Sequence, residues 1–298
     1  MDIRTSPLVR MAASAVRPTP WWVAWMLGVV FIYGGLIVGD FIGEALLGRP
    51  DRNAPLHQFV DFFGFGMILV VLFLWLRFVE QRPFSSVGLR GDNPVGRLAG
   101  GLVIGAGMMS IGVLVPWALG QYELGASVHG RLGLDAVALL IPLLGLFILQ
   151  GSTEELVLRG YMLQTAGLQI AGPAAILGTS LMFSALHRDF DPVPFINIVL
   201  YAVFACFVAL HDGSLWRVCG IHAGWNYFQG NIFGLPVSGN PEGTSLWNFG
   251  PAKGSNEFIT GGNFGVEASL MGTAVLVVAL AVAVVLHRRQ AANRAAAD

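Results

Sequence analysis

Polar positions punctuate this chain; they do not alternate along it. Long apolar runs recur, separated by short stretches rich in Gly, Pro, Asn, Asp and Arg. Eight runs can be marked, at about Trp21–Leu47, Phe59–Val79, Leu98–Leu119, Ala136–Gln164, Pro173–His187, Phe195–Leu210, Leu215–Phe233 and Ala268–Leu286. Runs of about 20 apolar residues match the bilayer's hydrocarbon thickness when helical. The fifth and sixth are short, and tilt or incomplete crossing is expected there. Between the runs lie turn-rich pieces, the longest from about Gly234 to Glu267. The predicted architecture is all-α: a polytopic membrane protein of about eight transmembrane helices enclosing a polar cavity. No linker or repeat divides residues 1–298. One membrane domain is expected, with a core at about 136–228, N-terminal spans at about 21–119, and a loop plus last span at about 234–286.

Composition agrees with that pattern. Hydrophobic residues make up 55% of the 298 and charged ones 12%, about half the charged share of a soluble domain. The mean hydropathy is +0.67. The net charge of -1 leaves no basic field for nucleic acid. Cys206 and Cys219 both fall in apolar runs with no paired spacing, as buried free thiols do. The N-terminal run is too long for a signal-peptide core and is expected to be retained. With a cytoplasmic N-terminus, 11 Arg fall on the inner side, against Arg49, Arg52, Arg131, Arg188 and Lys253 outside. Lys and Arg gather on the cytoplasmic side of membrane proteins, so both termini are expected there, in a plasma membrane of bacterial type.

Three clusters do not belong in hydrocarbon. A charge at the bilayer centre costs about 2.5–3.5 kcal/mol even on insertion scales. The first cluster is Ser152-Thr153-Glu154-Glu155-Leu156-Val157-Leu158-Arg159. Glu155 and Arg159 are four apart and share a helix face, in the favoured order for an ion pair. Glu154 is turned about 100° away. One carboxylate is thus expected to be neutralised and the other left free, as a general base requires. The second cluster is Phe183-Ser184-Ala185-Leu186-His187, ending the fifth run. The third, His222-Ala223-Gly224-Trp225-Asn226, sets His222 and Asn226 on one face. That face could donate to an oxyanion, ligate a metal, or serve as an interhelical hydrogen-bonding patch. Each cluster costs free energy unless it meets the others, so convergence on one cavity is expected. A reactive site and a proton-coupled carrier with a Glu/His relay both fit such a cavity.

In this order and at these spacings, Glu154-Glu155-x-x-x-Arg159, Phe183-x-x-x-His187 and His222-x-x-x-Asn226 resemble the three signature motifs of the CPBP intramembrane proteases, the family of the type II CAAX prenyl endopeptidases. The segment Arg82-Pro83-Phe84-Ser85-Ser86-Val87-Gly88-Leu89-Arg90 also looks like bacterial members. The resemblance is best over about Ala136–Phe228, and Leu158 stands where many members have Phe. It implies about eight helices around a water-filled cavity and cleavage of a peptide or protein substrate at the membrane. Glu154 would activate water with His187 assisting. His222 and Asn226 would stabilise the oxyanion, with Glu155 and Arg159 in support. A zinc on Glu154, His187 and His222 fits that resemblance, as does metal-free Glu/His catalysis. No H-E-x-x-H, G-x-S-G, Tyr-Asp or G-x-G-D motif of the other intramembrane protease types occurs.

Overall fold

The computed structural model of the chain describes residues 2–51, 54–125 and 131–295. Eight main helices run in chain order: α1 Trp21–Leu47, α2 Pro55–Glu80, α3 Pro94–Ala118, α4 Gly133–Gln169, α5 Gly172–Leu186, α6 Pro192–Asp212, α7 Trp216–Tyr227 and α8 Leu270–Ala295. Six of them (α1–α4, α6 and α8) are long and apolar enough to cross a membrane. The eight expected runs all form helices. The fifth is a shorter apolar helix, and α7 is a 12-residue helix whose apolar character is broken by Arg217, His222 and Asn226.

Helix starts follow local chemistry. Proline occupies the first turn of α2, α3, α5 and α6, where its missing N–H costs nothing. Asn93 caps α3 by accepting from the Gly96 N–H.

Two small-residue stripes set how deeply α7 is buried. A Cβ at Gly101 would meet the Arg217 carbonyl, and one at Gly105 the Ile221 carbonyl. From the other side, Gly220 and Gly224 press on the carbonyls of Leu98 and Leu102. Backbones this close rely on four-residue spacing of small side chains, the way membrane helices associate without a hydrophobic drive. Gly151 of α4 approaches the opposite side of α7, where a Cβ would lie 2.9 Å from the Ala223 nitrogen and 3.0 Å from the His222 Cβ. Helix α7 is therefore clamped between α3 and α4. Gly224→Val is expected to lower the melting temperature sharply in a detergent unfolding scan. Gly107→Val, with open space around it, serves as the control and should melt as the wild type does.

The two ends of the bundle differ. At one end the N-terminal segment folds back on the helices: Ile3, Leu8, Val9 and Ala12 are buried, and Ile3 and Val9 pack on Gly167. Nearby, Arg82 pairs with Glu80 at 2.6 Å and donates to Gln164 at 3.2 Å, all three buried. At the other end, the turn-rich pieces after α3 and after α7 are joined by short strands. Here β1 (Tyr122–Leu124) pairs antiparallel with β4 (Phe249–Pro251), and β2 (Arg131–Leu132) pairs parallel with β3 (Thr244–Ser245). The long loop is thus an ordered cover. Of the cations weighed for orientation, Arg52 lies outside the described residues.

Glu242 ties that cover to the bundle by accepting from the Gln58 amide, and its enclosure pushes the carboxyl up to about 8. The folded state then binds more protons than the unfolded chain between pH 4.5 and about 8, so stability falls as pH rises through that window. The melting temperature is expected to be lower at pH 9 than at pH 5.5, and Glu242→Gln to reduce the difference.

Candidate active site

Helix α4 carries the first motif further into the bundle than its apolar run implies. It continues to Gln169, five residues past the expected end, so Glu154 lies just beyond its midpoint. A mid-helix position lets Glu154 share a cavity with residues of the other two motifs. After Glu155 the helix widens into a π segment, Leu156–Leu163, every residue of which is buried. Such insertions re-aim side chains and gather at functional sites.

Inside this segment the expected ion pair forms. Arg159 Nη1 stands 3.2 Å from Glu155 Oε1, the two side chains being 1% and 0% exposed. The guanidinium also lies over the Phe183 ring, 4.6 Å from its centroid, a cation–π contact. The same Glu155 oxygen receives His222 Nδ1 at 3.0 Å. A carboxylate acceptor makes Nδ1 the protonated nitrogen, which leaves Nε2 facing the cavity. His222 Nε2 stands 3.6 Å from Glu154 Oε2. Arg159, Glu155, His222 and Glu154 form one chain of charge, leading from the buried interior to a carboxylate that is 18% exposed.

Glu154, His187, His222 and Asn226 all line one cavity of about 240 Å³. Convergence on one cavity therefore holds. The histidine beside Glu154 is His222. His187 instead turns Nδ1 to the Phe183 carbonyl at 2.9 Å, a bond made within its own helix end. That leaves its Nε2 as the remaining polar atom. Asn226 Nδ2 donates to Gln150 Oε1 at 3.3 Å.

Tyr201, Asn197 and Glu267 also line the cavity without belonging to a motif. Tyr201 of α6 stands with its ring 5.2 Å from that of His222, and its hydroxyl has no hydrogen-bond partner among the described residues. Asn197 holds the end of the long loop by donating to the carbonyls of Glu267 and Ser269. Glu267, from that loop, accepts from the Ser238 N–H at 2.7 Å and from Gln229 at 3.1 Å. Burial pushes its carboxyl up. No sequence signal separated Tyr201 from the other aromatics of an apolar helix. Glu267, the only acid within three residues of the last run, could have been flagged by that isolation.

A catalytic zinc takes three protein ligands and keeps a fourth position for water. Among the described residues, no three His, Cys, Asp or Glu side chains stand together as a metal-holding group. Glu154 and His222 approach each other at 3.6 Å, and His187, whose Nδ1 meets the Phe183 carbonyl, does not join them in one group. As arranged here, the three do not fit that ligand set.

What the arrangement can do follows from these distances. A water held between Glu154 and His222 meets a base on one side and an oriented imidazole on the other. Asn226, one turn on from His222, and Tyr201, whose ring lies 5.2 Å from that of His222, line the same cavity and offer donors. No curated protein and no solved structure matches the chain. A family model does, over residues 136–228, and its description is type II CAAX prenyl endopeptidase Rce1-like. The matched stretch runs from the start of α4 to the end of α7 and contains all three motifs. Set in a bundle of helices long and apolar enough to span a membrane, residues 136–228 are similar to the Rce1-like type II CAAX prenyl endopeptidases.

Proposed function

We propose that this protein is an intramembrane endopeptidase that hydrolyses peptide bonds with a water activated by Glu154 and His222. The observation that carries the reading is the relay Arg159–Glu155–His222–Glu154, which ends on a part-exposed carboxylate inside a cavity. Glu154 takes a proton from water as the water oxygen bonds to the carbonyl carbon. Glu155 fixes the His222 ring, so Nε2 remains aimed at Glu154 and the water. The carbonyl oxygen becomes an oxyanion within reach of Asn226 and the Tyr201 hydroxyl, donors that are already positioned. The carbon–nitrogen bond then breaks. The departing amine takes up the proton held by Glu154, directly or through His187, whose Nε2 is the polar atom left on that side. The products are a carboxylate and an amine, and one water has been consumed.

The substrate class is a peptide segment at the membrane, of the prenylated type or of another membrane-anchored type. The test is incubation of the purified protein with a panel of membrane-anchored and prenylated peptides, with and without chelator, and mass mapping of the products. Cleavage at a defined bond, unaffected by chelator, is the expected result. Loss with chelator and recovery on adding zinc would move His187 and His222 to ligand roles. Silence on every peptide, together with a solute or proton flux that depends on Glu154, would favour the carrier.

A further inference from the structure

We infer that substrate enters the Glu154 cavity from the end of the bundle opposite both chain termini, and that this end faces away from the cytoplasm. The substrates are then polypeptide segments presented on the extracytoplasmic face. This deepens the endopeptidase reading and rests on it for the chemistry, but not for the direction of entry.

Towards the termini the cavity is sealed. Below Glu154 the α4 helix continues as the wholly buried π segment. Beneath that lies the buried Glu80–Arg82–Gln164 cluster. The folded N-terminal segment plugs what remains, with Leu8 and Val9 fully buried. A peptide approaching from that side would have to displace buried ion pairs, and opening a buried pair costs several kcal/mol.

Towards the other end the cavity reaches the surface of the bundle. Of its lining residues, Arg188 and Asn240 are exposed. Both belong to turns at that end: Arg188 follows α5, and Asn240 sits in the cover formed by the long loop. Ser238 and Glu267, from the same cover, line the passage between them and Glu154.

The charge asymmetry gives the ends their sides. The terminal end carries Arg4, Arg10 and Arg17 in the N-terminal segment, Arg77, Arg82, Arg90 and Arg97 around the α2–α3 turn, Arg217, and Arg288, Arg289 and Arg294 at the close of α8. The structure joins these segments at one end. Val16 and Arg17 donate to the Glu80 carbonyl, Leu215 to that of Gly88, and Arg97 to that of Asp212. The end that opens carries Arg49, Arg131, Arg188 and Lys253. Basic residues flanking membrane helices stay in the cytoplasm, which leaves the cavity mouth on the opposite face. A tail presented on the cytoplasmic face would meet the sealed end.

Cysteine labelling tests the inference with no need to remove the native thiols, since Cys206 and Cys219 are buried. Asn240→Cys and Lys253→Cys are placed at the open end, and Arg90→Cys and Arg289→Cys at the other. Intact cells are treated with a membrane-impermeant maleimide. Detergent-solubilised samples show that each thiol is reactive. Labelling of the first pair in intact cells, and of the second only after permeabilisation, is expected. Cleavage of an added membrane peptide by the Asn240→Cys protein should fall at least tenfold once the thiol is labelled. The reverse labelling pattern would overturn the inference, as would undiminished cleavage by the labelled protein. If no peptide is cleaved by any form, the endopeptidase reading fails while the labelling still decides the facing.

Discussion

Glu154→Gln is expected to abolish peptide hydrolysis and leave the fold intact. The substitution keeps the shape of the side chain and removes its ability to accept a proton. General-base catalysis contributes about 10²–10⁴-fold, so the turnover rate should fall by about 10³-fold. The fold should survive because the Glu154 side chain is 18% exposed and its recorded ionic contact is a 3.6 Å approach to His222. No buried partner is stranded by the change. His222→Gln should also cost activity, but it removes one of the two donors to Glu155 Oε1 as well, so part of its effect will appear as lost stability. Glu154→Gln therefore separates chemistry from folding. The assay is single-turnover cleavage of a mapped peptide, with a melting scan on the same sample. Retention of activity within tenfold of the wild type would remove Glu154 from the base role.

The second large effect falls on stability. Arg159→Leu leaves the Glu155 carboxylate without its counter-ion in a place where the side chain is 0% exposed. Removing one partner of a buried pair costs about 3–5 kcal/mol, because a buried charge is left uncompensated. The loss should exceed that of any single exposed-site change and appear as a large drop in melting temperature. Adding Glu155→Gln to Arg159→Leu removes the stranded charge, so the double variant should recover part of the loss. Near-additive losses in this cycle would show that the two groups act independently. Activity should fall in both variants, since Glu155 is also what holds the His222 ring.

Much of this molecule was legible in the amino-acid order, and the reason is physical. Apolar runs of span length have few options in a bilayer, so the eight helices appear where the runs are, and the bounds of α1 coincide with them. Four-residue spacing fixes who shares a helix face. That was enough for the Glu155–Arg159 pair, and for placing His222 and Asn226 together. The cost of an isolated charge in hydrocarbon was enough to require that the clusters meet.

Other features are set by contacts between segments far apart in the chain, which no local pattern encodes. Which histidine stands beside Glu154 was not legible in the spacing of the motifs. It is His222, because Gly151 lets α7 approach α4 closely while the Phe183 carbonyl claims the His187 ring. The π segment after Glu155 has no counterpart in the spacing of apolar residues there. The N-terminal residues and the long loop looked like connectors because they are short of apolar runs. Yet Leu8 and Val9 seal one end, and the loop, stapled by β1–β4 and β2–β3, brings Ser238 and Glu267 to the cavity. The sequence by itself determined a helical membrane protein and the groups that must be sheltered from lipid. The tertiary structure alone decided which of those groups touch and which loop residues reach the cavity. Both depend on backbone approach between distant segments, which small residues permit but do not specify.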